Sequence, residues 1–199
     1  MIMPKEKREI QKQDIMPLDV YIKNRKELRK NIVSFKKDRR IALGPYATFY
    51  FENYETMLAQ VQEMLYIEKG GDEQLKDELE AYNPLIPNGK ELTATLMFEI
   101  DNPVSRSAFL SKVGGIEEKV FIKIDGEIAK AVPEKDVDRT SADGKASSVQ
   151  FIHFELTDKQ IQKFKSKNID IELGIDHNEY SHTTKLSLEN INSLSADFN

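Results

Sequence analysis

The chain has 199 residues, of which 39% are hydrophobic and 32% charged, and its formal net charge is −5. This composition is typical of a rather polar globular protein that can form one core of its own. The absence of cysteine excludes disulfides, thiolate nucleophiles, iron–sulfur ligation and cysteine-based zinc sites. The apolar runs are far shorter than the roughly 20 residues that span a membrane, and the charged N-terminal sequence MIMPKEKREIQKQD lacks the apolar region of a secretory signal. We therefore expect a soluble, cytoplasmic protein.

The charge is distributed unevenly along the chain. Residues 1–40 contain 13 Lys and Arg against six Asp and Glu, whereas residues 41–199 contain 16 against 28. A basic segment of this kind can bind phosphate or nucleic acid, or it can dock on the acidic part of its own chain. We favour the second interpretation, because the basic residues follow a helical pattern and lack interleaved aromatic residues that stack on bases. A phosphate or nucleic-acid binder acting through this basic helix is kept as an alternative.

The first half of the chain predicts three helices and three strands after a polar N-terminal segment. We expect residues 1–13 to be flexible and residues 14–199 to form a single domain. A helix is predicted over residues 15–37, followed by the strands RRIAL and ATFYFE around a Gly-Pro turn. Asn53 is a suitable N-cap for the next helix, which ends at a Gly-Gly pair. The segments DEQLKDELEAY and LTATLMFEI then predict a helix and a strand.

The second half is richer in strands. KVFIKIDGEIAKAV contains two alternating segments around Asp125-Gly126, which is a signal for a type I′ hairpin turn. SVQFIHFEL and IDIELGI predict strands, and Thr157 with Gln160 forms a capping box for the helix between them. A short helix over SLENINSLSADF ends the chain. Strands outnumber crossover helices, so we predict an α+β fold with a mainly antiparallel sheet packed against several helices in one domain.

No familiar catalytic or phosphate-binding motif is present, so whether the protein is an enzyme is left open. The sequence contains no GxxxxGK[ST], no GxGxxG after a strand, no HExxH and no GxSxG. His153 lies on a predicted strand, where a hydrogen-bonded role is expected more often than metal ligation. Asp176 and His177 follow another strand in GIDHNEYSH; we interpret this segment as a turn, although Asp and His are also suitable metal ligands.

Four charges interrupt otherwise apolar segments between residues 39 and 65. Arg39 and Arg40 precede a strand, Glu52 ends an aromatic strand, and Glu63 lies in the helix that follows Asn53. On a helical wheel Glu63 falls at the edge of the apolar stripe, whereas Glu55, Gln62, Tyr66 and Lys69 are predicted to face away from it. We favour a scaffold in which the two arginines pair with the two carboxylates.

The alternative is a metal site for iron, manganese or zinc. Carboxylate and imidazole groups are common ligands of these metals. The candidate ligands in this alternative are Glu52, Glu63, Asp176 and His177, and Arg39 or Arg40 would orient a carboxylate.

Several segments, in one order, resemble a known bacterial family. They are RRIALGPYATFYFEN, TMLAQVQEML, ELEAYNPLIPNGKELTATLMFEI, VQFIHFEL and GIDHNEY. Together they are similar to the family called domain of unknown function 3501, over about residues 14–197. The resemblance implies a binding or accessory protein that is linked to iron or peroxide metabolism, and hence to oxidative stress. It also implies a redox partner such as a rubrerythrin or an iron–sulfur oxidoreductase.

Overall fold

The fold is built on two antiparallel β-sheets. The computed structural model describes residues 8–134, 140–141, 144–166 and 169–198. Within these residues the strands are β1 (Arg40–Leu43), β2 (Ala47–Glu52), β3 (Glu91–Phe98), β4 (Val120–Ile124), β5 (Glu127–Lys130), β6 (Val132–Pro133), β7 (Val149–Glu155), β8 (Ile171–His177) and β9 (Tyr180–Lys185). The first sheet has the order β1-β2-β3-β7-β6, and the second has the order β5-β4-β8-β9.

Six α-helices lie in the described part of the chain. They are α1 (Leu18–Lys36), α2 (Tyr54–Glu68), α3 (Gly71–Tyr82), α4 (Pro103–Leu110), α5 (Asp158–Phe164) and α6 (Leu188–Ser195). Both N-caps predicted above are confirmed: the Asn53 side chain accepts a hydrogen bond from the Thr56 N–H, 3.1 Å away, and Thr157 caps α5. Among these helices none is long and apolar enough to cross a membrane.

Side-chain alternation along the strands places a large core between the two sheets. β4 alternates between buried and half-buried positions, and Phe49, Phe51, Ile152 and Phe154 of the first sheet join the same cluster. A smaller cluster forms on the opposite face of the first sheet, where Phe151 packs with residues of α2 and α3. The α+β prediction is therefore confirmed. The Asp125-Gly126 hairpin is also confirmed, since both residues have positive φ, 48° and 80°.

Two segments differ from the sequence-based expectation. Residues 8–13, expected to be flexible, are anchored in the described range: Ile10 is 1% exposed, and its N–H donates a 2.8 Å hydrogen bond to Oδ1 of Asn83. Residues 1–7 lie outside the described residues, as does part of the polar loop predicted over residues 134–147. The segment GIDHNEYSH is the turn of a β8–β9 hairpin, because Tyr180 pairs with His177 and begins a strand that the prediction lacked.

Candidate functional site

Arg39 is a buried structural anchor and does not pair with Glu52 or Glu63 through their side chains. Its Nε donates to the carbonyl oxygen of Phe51 over 3.0 Å, and its Nη2 donates to the carbonyl oxygen of Glu52 over 3.1 Å. The same guanidinium forms an ion pair with Asp197, and both side chains are 1% exposed. Arg39 therefore holds the end of β2 and the C-terminal segment together. The prediction that it pairs with the carboxylate of Glu52 or Glu63 was wrong.

Arg40 points to the other face of the first sheet. Its Nη2 lies 3.3 Å from Oε2 of Glu99, which also accepts hydrogen bonds from the Thr48 hydroxyl (2.6 Å) and the Tyr50 hydroxyl (2.8 Å). These hydrogen bonds, first of all that from Thr48, hold the pKa of Glu99 below its usual value against the effect of partial burial. Arg40, Thr48 and Tyr50 thus form one hydrogen-bonded network around Glu99.

Glu52 is buried on the same face as Arg40 but has a different partner. Its Oε1 accepts a 3.0 Å hydrogen bond from the Thr95 hydroxyl on β3. Its Oε2 is buried and has no hydrogen-bond partner within the described part of the chain. A hydroxyl on the neighbouring strand thus takes the place of the arginine that we expected beside this carboxylate.

Glu63 joins α2 to α1. Its Oε2 accepts hydrogen bonds from the Tyr21 hydroxyl (2.7 Å) and from Nε of Arg25 (3.0 Å), and its Oε1 pairs with Nη2 of Arg25. The hydrogen bonds from Arg25 are the main reason that the pKa of Glu63 is lowered. Burial, followed by the hydrogen bond to Glu63, raises the pKa of Tyr21 to about 12. We call Tyr21, Arg25 and Glu63 the helix clamp.

The four metal-ligand candidates are not assembled into one site. Asp176 and His177 lie at the end of β8 in the second sheet, opposite Ser181 and Tyr180 of β9. Glu52 and Glu63 are held by the partners described above. Among the described residues no group of three or more His, Asp or Glu side chains is placed to hold a metal ion.

His153 bridges two carboxylates, which confirms the prediction of a hydrogen-bonded strand residue. Its Nδ1 lies 3.1 Å from Oε2 of Glu91 at the start of β3, and its Nε2 lies 2.8 Å from Oε2 of Glu134 after β6. Burial disfavours the charged imidazole, but the hydrogen bonds with Glu91 and Glu134 outweigh it and raise the pKa of His153. The two ring nitrogens bind different carboxylates, so His153 links β3 and β7 to the residue that follows β6.

A cavity of about 470 Å³ lies between α1 and α2. Of the 19 residues of α1, all of them described, only Tyr21 is buried. The apolar side chains of α1 are therefore only partly covered, and some of them form one wall of the cavity. The apolar lining, which outweighs the polar lining, includes Met16, Leu28, Ile32, Phe35, Leu58 and Ala59.

Glu55, in the first turn of α2, contributes a carboxyl group to this cavity. Its Oε2 is buried and has no hydrogen-bond partner among the residues that the structure describes. Burial raises the pKa of Glu55. A hydrogen bond from the backbone N–H of Glu55 and the positive charge of Arg39 oppose this increase. The wheel prediction that Glu55 and Gln62 face away from the interior was wrong, because α1 covers this side of α2.

A second cavity of about 320 Å³ adjoins the first and includes Leu18 in its lining. Met16 and Gln62 line both cavities. The Gln62 amide is used to hold the backbone of Met16: its Oε1 accepts from the Met16 N–H over 2.8 Å, and its Nε2 donates to the Met16 carbonyl oxygen over 3.1 Å. This pair of hydrogen bonds forms the wall between the two cavities.

Comparisons with known proteins define the relatives of the chain. The family model described as protein of unknown function (DUF3501) matches residues 9–198. A crystal structure of a protein of unknown function from Burkholderia pseudomallei is 33% identical, covers 96% of this chain and 99% of its own, and has a TM-score of 0.89. The search of the curated proteins found no match. The chain therefore belongs to the DUF3501 family of proteins of unknown function.

Proposed function

We propose that this is a binding protein whose ligand is a small amphipathic molecule held in the cavity between α1 and α2. The cavity itself is the observation that carries the proposal: its volume of about 470 Å³ lies in the range of about 300–1,000 Å³ common for small-molecule sites. Its walls are largely apolar and a few polar groups converge on it, which is the usual composition of a ligand site.

The way α1 is held supports a ligand site more than a packing defect. A helix that completed the core would bury its apolar stripe at close-packed density. Leu28, Ile32 and Phe35 are instead half-buried over the cavity, while the helix clamp fixes α1 to α2 through polar contacts. A ligand with an apolar body would cover the surface that these three side chains leave open.

In the cell, the protein would act as an accessory protein of iron or peroxide metabolism in the cytoplasm. This setting rests on the family resemblance, which implies a redox partner such as a rubrerythrin or an iron–sulfur oxidoreductase. Binding of the purified protein to each of these two purified partners, measured by calorimetry with and without an occupied cavity, tests the setting. Absence of binding to both would remove it without affecting the ligand site.

The ligand site is tested with Nile red, a neutral dye that fluoresces in apolar surroundings. We expect saturable binding to the wild-type chain, and Ala59→Phe should weaken it by about tenfold or more because the larger side chain fills the cavity. Ala108→Phe makes the same change at an exposed position of α4 and should leave dye binding unchanged. Thermal unfolding of each variant checks that it is folded.

Two results would count against this assignment. Equal dye binding by Ala59→Phe and the wild type would show that the dye does not occupy the cavity between α1 and α2. Loss of binding in Leu18→Trp alone would move the site to the second cavity, which Leu18 lines.

A further inference from the structure

Glu55 is the polar group of the cavity whose hydrogen bonding is incomplete. Its Oε2 is buried and has no donor among the described residues. A buried oxygen atom without a donor is unfavourable, because that atom has lost its hydrogen bonds to water and gained none in the protein. The unfavourable contact would be relieved by any molecule that enters the cavity and donates a hydrogen bond to this oxygen.

Three polar side chains near Glu55 already have partners of their own. The Gln62 amide binds the backbone of Met16, and Glu63 is held in the helix clamp. Arg39, the side chain whose positive charge acts most on Glu55, is bound to Asp197 and to backbone carbonyl oxygens. Gln62 and Arg39 therefore do not supply the missing hydrogen bond to Oε2 of Glu55, and Glu63 takes part in the helix clamp as an acceptor.

We infer that the ligand of this cavity has an apolar body that carries an amine or a hydroxyl group, and that Glu55 accepts the hydrogen bond of that group. The inference rests on the proposed function and specifies the chemistry of its ligand. An amine would bind most tightly, since a charge-assisted hydrogen bond to a carboxylate is stronger than a neutral one. A ligand with an acidic head would place two carboxyl groups together and would bind most weakly.

The body of the ligand would lie along the apolar walls. Leu28 and Ile32 line the cavity from α1, and Leu58 and Ala59 line it from α2, the helix that carries Glu55. The volume of about 470 Å³ is sufficient for a phenyl ring with a short alkyl chain, which is a small ligand for a cavity of this class. The site would thus discriminate by head group more than by the shape of the body.

Three compounds with one common body test this inference: 4-phenylbutylamine, 4-phenylbutanol and 4-phenylbutanoate. Each is used to displace Nile red from the wild-type chain near neutral pH. We expect the amine to bind about tenfold or more tightly than the butanoate, with the alcohol between them. Glu55→Gln should reduce the difference between amine and butanoate to within about threefold, because it removes the carboxylate.

Glu73→Gln is the matched control, since Glu73 is an exposed glutamate in the first turn of the neighbouring helix α3. It should retain the full preference for the amine. Equal displacement by all three compounds, or a preference for the butanoate, would overturn the inference and leave the Nile red site in place. Absence of Nile red binding to the wild type would overturn both the inference and the proposed function. The wild-type comparison decides the question even where Glu55→Gln does not fold.

Discussion

The Arg39 guanidinium and the Asp197 carboxylate form a buried ion pair between residues that are 158 positions apart in the chain. Arg39 lies between α1 and β1, and Asp197 follows α6 near the C-terminus. The same guanidinium donates to backbone carbonyl oxygens at the end of β2 and in α6. One side chain therefore connects the start of β1 with the end of β2 and with the C-terminal segment that contains α6.

Removal of one member of this pair should destabilise the protein strongly. We expect Arg39→Leu to lower the free energy of unfolding by about 3–5 kcal/mol, because Asp197 is then left buried without its counter-charge. Urea unfolding followed by circular dichroism measures the change. Arg40→Leu is the matched control: its pair with Glu99 is exposed, so a loss below about 1 kcal/mol is expected. Equal decreases in the free energy of unfolding of the two variants would show that the buried Arg39–Asp197 pair does not stabilise the protein more than the exposed Arg40–Glu99 pair.

The helix clamp should hold α1 on α2. In Glu63→Gln the hydrogen bonds from Tyr21 and Arg25 lose their charged acceptor, and we expect a loss of about 1–2 kcal/mol, since the pair is partly buried. Amide hydrogen exchange in α1 should become faster. Glu27→Gln, a substitution at an exposed position of α1, should leave exchange unchanged.

The helix clamp should also make stability depend on pH. Because the pKa of Glu63 is lowered in the folded protein, the stabilisation by its carboxylate is present above the usual glutamate pKa and is lost as the pH falls through the lowered pKa. An undiminished difference between wild type and Glu63→Gln at that acidic pH would contradict this account.

Gly44 should tolerate no side chain. Its φ is +63°, and an added Cβ would lie 2.6 Å from Cδ2 of His182 and 2.7 Å from the Tyr180 hydroxyl oxygen. We expect Gly44→Ala to lower the free energy of unfolding by about 2–4 kcal/mol, through backbone strain together with a steric clash. Gly115→Ala, at φ +76° with no atom within 4 Å of its Cβ, should show the cost of strain alone, about 1–2 kcal/mol. Similar melting temperatures of the two variants would rule out the clash.

His153 should make stability depend on pH. Its pKa is raised in the folded protein by hydrogen bonds with Glu91 and Glu134, which outweigh the opposing effect of burial. The stabilisation is therefore complete below its unfolded pKa of about 6.5 and is lost as the pH rises through the raised value. Relative to the wild type, we expect His153→Gln to be less stable by about 1–3 kcal/mol in mildly acidic buffer, and by less in alkaline buffer. His177→Gln is the control, and a deficit that grows with rising pH would refute the assignment.

Local chemistry determined most of the secondary structure, because caps, turns and alternation depend on neighbouring residues. Asn53 could be identified as a cap, and Asp125-Gly126 as a hairpin turn, from a few residues on either side. Strand β9 was not predicted, since its pattern YSHTTK lacks apolar residues on one clear face. Its position is fixed by pairing with β8 and by the Tyr180 hydroxyl, which accepts hydrogen bonds from the N–H groups of Tyr46 and Ala47.

The sequence by itself determined which charges in residues 39–65 are unusual, because an ionisable residue inside an apolar segment is visible without a structure. Only the tertiary structure decided their partners: Asp197 for Arg39, Glu99 for Arg40, Thr95 for Glu52, and Tyr21 with Arg25 for Glu63. Most of these contacts join distant positions, which periodicity cannot relate. The same reason explains Glu55: a wheel for α2 assigns it to the outer side, but α1 packs there and encloses the carboxyl group in the cavity.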